Sequence, residues 1–206
     1  MKIYVTGLGV VSGIGLGVAE NIASLRKHQH GMGKVTLFPT ELDVPVSEVK
    51  YSNEELKRLL SLDIQKTFSR TALLGMLAAR EAVDDARLDL NTLRVGLISS
   101  TSVGGMDLSE HFYNAFKKDN RKGRLREVIS HDCGASTEMI ADYLKVNDFV
   151  TTISTACSSA ANAIMLGARM IRNGQLDAAI VGGTDALCKF TLNGFKIGRA
   201  SCRERV

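Results

Sequence analysis

Apolar and polar positions along the chain fall into distinct rhythms, and each predicts a different element. Short apolar, β-branched runs at Lys2–Val11, Arg94–Ser99, Asp148–Ser154 and Ala178–Val181 read as strands. Steps of three and four predict helices between them. Val18, Ile22 and Leu25 mark one, and Phe68, Ala72, Met76, Ala79, Val83 and Ala86 mark a longer amphipathic one. Leu108, Phe112 and Phe116 align over Asp107–Lys118, and Thr137–Lys145 continues the pattern. Ser52 caps a short charged helix, Asn53–Leu60, with Glu55 in capping-box position. A last helix runs from Cys157 to Arg172 and closes on Asn173-Gly174. Ala160, Ala161, Ile164, Met165, Ala168 and Ile171 cover most of its circumference, which predicts a buried helix inside a βαβ unit.

Composition narrows the class. With 206 residues, 45% of them hydrophobic, the chain has enough apolar surface for one large domain or two small ones. Nineteen glycines against two prolines and no tryptophan suit an α/β protein with tight strand-to-helix turns. The four cysteines, Cys133, Cys157, Cys188 and Cys202, have no metal-type or CxxC spacing, so a reducing cytoplasm is expected. The uncharged run Ile3–Ala19 superficially resembles an export signal. Its five glycines make it too weakly apolar, and a buried strand followed by a glycine loop accounts for it without a membrane. The basic run Lys117–Arg126 has no aromatic residue for base stacking, which argues for a surface loop and against nucleic-acid binding.

The candidate chemistry centres on Thr151–Ala161, where a β-branched segment passes through Cys157 into the alanine-rich helix. Unpaired N–H groups and the positive end of the macrodipole at a helix N-terminus favour a thiolate over a thiol. The same spacing also suits a cysteine that is only a small hydrophobe. Ser100–Met106, at the end of a buried strand, is a place where ligands collect in α/β folds. His131 and Asp132 flank Cys133, but side chains adjacent in sequence diverge, so they are a weak basis for a catalytic set. His28 and His30 have no third ligand nearby and read as solvated. Lys57, Arg58, Lys66 and Arg70 form either a solvated face or a docking patch for an acidic partner. The first strand, glycine loop and helix invite a dinucleotide reading, yet GxGxxG from Gly7 would need glycine at Ser12, and from Gly13 at Val18.

Four stretches together resemble the elongating β-ketoacyl-[acyl-carrier-protein] synthases of the thiolase-like superfamily. They are Val5-Thr6-Gly7-Leu8-Gly9-Val10-Val11-Ser12, Ser99-Ser100-Thr101-Ser102-Val103-Gly104-Gly105, Thr155-Ala156-Cys157-Ser158-Ser159 and Val181-Gly182-Gly183-Thr184-Asp185-Ala186. The resemblance implies a thiolase-like α/β fold whose N-terminal βαβαβ half, residues 1–196, carries helices on both faces of a mixed sheet. It implies that Cys157 takes an acyl group from a carrier protein or coenzyme A, and that malonyl-carrier protein then condenses with it, losing CO2. It further implies that Val103 and Met106 lie beside the acyl tail, that Lys66 and Arg70 dock the acidic carrier, and that the complete protein forms a homodimer through the strand before Cys157. No cofactor and no metal are implied. The catalytic histidines and their supporting lysine would belong to a second half of similar size, so His28, His30, His111 and His131 are not assigned to those roles. Rival readings are a non-condensing chain-length-factor-like partner subunit, which typically lacks the cysteine, a nucleotide-binding oxidoreductase, and a structural α/β module.

The last ten residues, Ile197–Val206, break the pattern. They carry Arg199, Arg203 and Arg205 against Glu204, half of the net charge of +4, with no apolar period. They coincide with one reading frame of a common sequencing adapter, and the resembling family continues differently after Gly194-Phe195. The expectation is that native sequence stops near Lys196 and that residues 197–206 are read-through. Sequencing the genomic locus should show a frame that diverges from these ten codons and continues; a native gene running through them would contradict this.

Overall fold

The computed structural model describes residues 2–197, so all but the first residue of the suspect tail lies outside the described residues. Two small antiparallel ribbons precede the main body. The first pairs β1 (Val11–Ser12) with β2 (Gly15–Leu16) and leads into α1 (Val18–Arg26); the second pairs β3 (Met32–Gly33) with β4 (Val46–Ser47). Helix α2 (Asn53–Leu59) starts at Ser52, whose hydroxyl accepts from the Glu55 N–H while the Glu55 carboxylate accepts from the Ser52 N–H, the reciprocal pairing read from the sequence. Helix α3 (Arg70–Ala86), capped by Ser69, β5 (Val95–Ser100) and α4 (Met106–Lys118) follow. Then come α5 (Arg126–Ile129), α6 (Cys133–Leu144), β6 (Phe149–Ile153), a single 3-10 turn at Ala156–Ser158, α7 (Ser159–Arg172), β7 (Ala178–Val181) and α8 (Lys189–Ile197).

The three long strands form one parallel sheet in the order β6-β5-β7. All six residues of the central β5 are buried. Its side chains alternate between two cores, as a strand's period of two requires. Val95 and Leu97 join Leu73, Met76, Ile140 and Leu144 of α3 and α6; Ile98 joins Ala163 and Met170 of α7 with Leu176. Helices thus cover both faces. The sheet among the described residues is purely parallel rather than mixed.

The first expected strand is the reason. Lys2–Val10 belongs to no sheet, and only Val11–Ser12 pairs, in the small ribbon. The segment lies along α3 instead: a methyl group at Gly7 or Gly9 would run into the Ala82 and Ala78 carbonyl oxygens. The Leu8 and Val10 N–H groups donate to the Asp85 and Glu81 carboxylates of α3 at 2.9 and 3.0 Å. Side chains of α3 therefore take the place of a neighbouring strand, leaving Tyr4 and Val5 exposed. A slot of about 1540 Å³ separates this run from the β7 edge, lined by residues including Tyr4, Ala82, Ile171 and Ile180.

Two further expectations are corrected. Helix α7 is not buried all round: Ser159, Ala163, Gly167 and Met170 face the sheet, while Ile164 and Met165 are 53% and 48% exposed because nothing among the described residues covers that side. In α1 the apolar pattern is not the buried face either. Ile22 and Leu25 are exposed, and Asn21 is buried, with its amide donating to the Gly15 and Gly17 carbonyls and its carbonyl accepting from the Ser12 hydroxyl. No helix among the described residues is long and apolar enough to cross a membrane.

Acidic side chains tie the starts of the strands together. Asp177 accepts from the Arg94 N–H and both arms of its guanidinium, at 2.8–3.0 Å, and Asp148 accepts from the Val95 N–H at 2.8 Å. The Arg94 bonds hold the Asp177 carboxyl down from the ordinary 3.8 to about 2. A depressed carboxyl stabilises the fold above its unfolded value, and that contribution is lost as pH falls through the folded one. Acid titration of Asp177→Asn, followed by circular dichroism, should therefore show less loss of stability between pH 3.8 and about 2 than the parent.

Candidate active site

Parallel strands put their C-terminal ends on one side, where α/β folds hold their ligands. Three of the four motifs meet there. The Ser100 hydroxyl donates to the Gly182 carbonyl at 3.0 Å, the Thr184 N–H donates to the Ser100 carbonyl at 2.9 Å, and the Thr101 N–H donates to the Ile153 carbonyl at 3.3 Å. A methyl group at Gly183 would come within 3.2 Å of the Ala160 side chain in the first turn of α7. The fourth motif, Val5–Ser12, lies along α3 and lines the slot.

Cys157 is exposed in the 3-10 turn between β6 and α7, one residue after Ala156, whose φ is +53°. A residue with a Cβ enters that left-handed region at a cost of order 1–3 kcal/mol, and it does so where surrounding contacts compel it. Here they are hydroxyls. The Ser159 hydroxyl, itself buried, accepts from the Thr155 N–H at 2.7 Å and donates to the Ala156 carbonyl at 2.6 Å. The Ser158 hydroxyl donates to the Thr155 carbonyl at 2.8 Å. The helix begins after Cys157 rather than at it, so the thiol stands just ahead of the α7 N-terminus. No side chain takes the role of N-cap for α7; the preceding 3-10 turn does so instead, the Ser158 and Ser159 N–H groups donating to the Thr155 and Ala156 carbonyls.

The other cysteines differ. Cys188 is 2% exposed, and burial pushes its thiol up. Cys133 begins α6, with its sulfur 4.0 Å from the Ser154 hydroxyl. Cys202 lies outside the described residues. The His131-Asp132-Cys133 run is dispersed. Asp132 is the N-cap of α6, accepting from the Gly134 N–H at 3.1 Å, so this helix starts four residues earlier than its apolar pattern suggests. The His131 ring is 2.8 Å from the Ser109 hydroxyl, and the His111 ring is 3.1 Å from Glu127.

Val103 is buried in the turn after β5 and Met106, half-buried, opens α4; neither lines the slot beside β7, and neither does Cys157. What holds Val103 is Asp185, from the Val181–Ala186 motif. One oxygen of Asp185 accepts from the Thr101 hydroxyl at 2.5 Å and from the Ser102 and Val103 N–H groups at 2.9 and 3.2 Å. Thr101 in turn accepts from the Val103 and Gly104 N–H groups. Asp185 joins two loops 82 to 84 residues apart in sequence. It was visible only as part of a motif, without a role.

The basic patch contracts. Lys66 is exposed, as is Arg58, but Arg70 is 7% exposed and cannot present a free guanidinium. Its side chain donates to the Tyr51 and Val49 carbonyls and the Asn53 side-chain oxygen, and its N–H donates to Asp107. Burial lowers its proton affinity, opposed by Asp107 and Glu48. Lys57 is buried as well, with its amine on the Ile64 and Lys66 carbonyls. Both cations brace the α2–α3 connection rather than a partner surface.

A dinucleotide has no vacant helix end at α1, where the Glu81 carboxylate accepts from the Val18 N–H at 2.7 Å and would repel a pyrophosphate. Among the described residues no three His, Cys, Asp or Glu side chains gather as a metal site.

An exposed thiol thus stands at a strand-to-helix turn on the C-terminal edge of a parallel sheet, in a fold shared with the thiolase-like ketosynthases. Residues 1–205 match the family described as "Beta-ketoacyl synthase, N-terminal domain", and the chain belongs to the β-ketoacyl synthase family. It is 28% identical over 210 residues to "3-oxoacyl-[acyl-carrier-protein] synthase 2" of Staphylococcus aureus (strain MRSA252), covering 97% of this chain and 50% of the relative. It is 28% identical over 193 residues to "Nodulation protein E" of Rhizobium sp. (strain N33), covering 90% and 47%. The chain spans about half the length of the curated relatives it matches. Among solved structures, "The ishigamide ketosynthase/chain length factor" superposes with a TM-score of 0.87 at 29% identity, covering 97% of this chain and 51% of that one. The ketosynthase ApeO with its chain length factor ApeC from Xenorhabdus doucetiae gives 0.74 at 24% identity, with 94% and 49% covered, which speaks to the fold.

Proposed function

We propose that this chain supplies the acyl-accepting half of a condensing enzyme, a β-ketoacyl-[acyl-carrier-protein] synthase of fatty acid or polyketide-type synthesis. The observation that carries the reading is Cys157, exposed in a braced, strained turn directly ahead of α7. The Cys157 thiolate attacks the thioester carbonyl of an acyl carrier, a tetrahedral oxyanion forms, and the carrier thiolate leaves, placing the acyl group on sulfur. The positive end of the α7 dipole, just behind the thiol, is suited to stabilise that oxyanion. Malonyl-carrier protein then loses CO2, its C2 carbanion attacks the Cys157 thioester, and Cys157 leaves as thiolate, giving a 3-oxoacyl product two carbons longer. Groups that polarise the malonyl carbonyl come from the half of the family's length that has no counterpart here.

Val103, held in place by Asp185, and Met106 flank the acyl chain in this reading. Lys66, with Arg58, meets the acidic carrier. The edge strand β6, just before Cys157, joins two copies in a homodimer in the cytoplasm. A non-condensing chain-length-factor role is disfavoured by the exposed cysteine, and the oxidoreductase by the carboxylate at the α1 N-terminus.

Incubation with radiolabelled acyl-carrier protein and malonyl-carrier protein separates the two steps. The 206-residue chain should take label on Cys157 yet release no CO2 and no 3-oxoacyl product, and Cys157→Ala should take none. Label on the alanine variant at the parent's rate, or binding of labelled dinucleotide in its place, would contradict the reading.

A further inference from the structure

We propose that Asn162 is a positioning residue for the acyl-transfer step, acting through the turn that carries Cys157; the proposal rests on Cys157 being the acyl acceptor. Asn162 stands one turn into α7, on the half-buried side. Its side-chain nitrogen donates to the Thr155 hydroxyl at 2.8 Å and to the Ser158 hydroxyl at 3.4 Å. These two residues bracket Ala156 and Cys157 in sequence. One amide therefore reaches back across the whole turn and ties its first and last residues to the body of the helix.

The chemistry of the donors makes Asn162 more than one bond among several. An amide nitrogen has two protons and no acceptor capacity, so both hydroxyls must accept from it. That leaves the Ser158 proton for Thr155, whose carbonyl at 2.8 Å and hydroxyl oxygen at 3.1 Å are both within reach and both close the turn. Ser159 fastens the opposite side, through the Thr155 N–H and the Ala156 carbonyl. Ala156 has no side chain able to stabilise φ = +53° by itself, so the left-handed residue beside the nucleophile is held by hydrogen bonds from its neighbours. Ser158 and Ser159 make local bonds within the turn, whereas Asn162 alone of the three brings a later residue of a fourteen-residue helix to bear on it. Losing both bonds should free Thr155 and Ser158, relax the turn and let the sulfur wander from the α7 N-terminus. With one bond of ordinary length and one long at 3.4 Å, the combined effect on a geometry-dependent rate is on the order of ten-fold.

The test uses Asn162→Ala and Asn162→Leu in the 206-residue chain. Leucine keeps the bulk of asparagine, makes none of its bonds and is the better helix former, so any loosening it causes is not fraying of α7. Two quantities are read: amide hydrogen exchange across Thr155–Ser159 compared with Gly167–Arg172, and the rate of acyl transfer to Cys157 from decanoyl-coenzyme A. Exchange in the turn should rise about ten-fold in both variants with the end of the helix unchanged, and acyl transfer should fall by a similar factor. Parent-like exchange together with parent-like acyl transfer would overturn the proposal. So would faster exchange with unaltered acyl transfer, which would make Asn162 structural only. If the parent itself takes no acyl group while the variants loosen the turn, the acceptor reading fails and the catalytic meaning of the brace fails with it, leaving the brace as a local contact.

Discussion

Burial of the central strand on both faces is the constraint from which the rest follows. Val95, Leu97 and Ile98 each lose nearly all solvent contact, to α3 and α6 on one side and α7 on the other. Each such side chain contributes about 1.5–3 kcal/mol when fully buried. A strand covered on both faces needs helices crossing on both, and helical crossovers join parallel strands. Parallel strands then deliver their C-terminal loops to one edge, which is how Thr101–Gly105, Thr155–Ser159 and Gly182–Asp185 come to be neighbours. The site is a consequence of the sheet's direction.

What turns that edge into a site is polar rather than apolar. Asp185 gathers the β5 loop, Ser159 and Ser158 fold the Cys157 turn, and Asn162 ties it to α7. Short side chains with oxygen acceptors can hold a left-handed alanine where a glycine would simply have been flexible. A nucleophile benefits from such stiffness, because attack on a carbonyl depends on the angle of approach. The sequence of the turn, with hydroxyls on both sides of Cys157, carries the means of its own rigidity.

The strands and helices that pack against each other were readable from apolar spacing. Ala178–Val181 falls where it was expected, and β5, β6, α3 and α4 shift by a residue or two. Cys157 was readable as well, because a strand-to-helix junction has a local signature. Misreadings arose where the outcome depends on partners distant in sequence. Lys2–Val10 has strand composition, yet its Leu8 and Val10 N–H groups are taken by Asp85 and Glu81. Arg70 carries a charge that looks like surface, yet three backbone and side-chain oxygens from Val49, Tyr51 and Asn53 draw it inward. Asp132 looked like chemistry and is a cap. Apolar pattern foretells that a face will be covered, not by what: Ile164 and Met165 of α7 have such a face and no cover among the described residues.

Among the cysteines of the described residues, this fold singles out one thiol by holding it exposed in a rigid turn ahead of a helix. Residue-resolved alkylation with iodoacetamide at neutral pH, quantified by peptide mass spectrometry, reads that claim directly. Cys157 should react faster than Cys133 by about ten-fold or more, with Cys188 protected until the protein is unfolded. Equal rates at Cys157 and Cys133, or slower reaction at Cys157, would contradict the account.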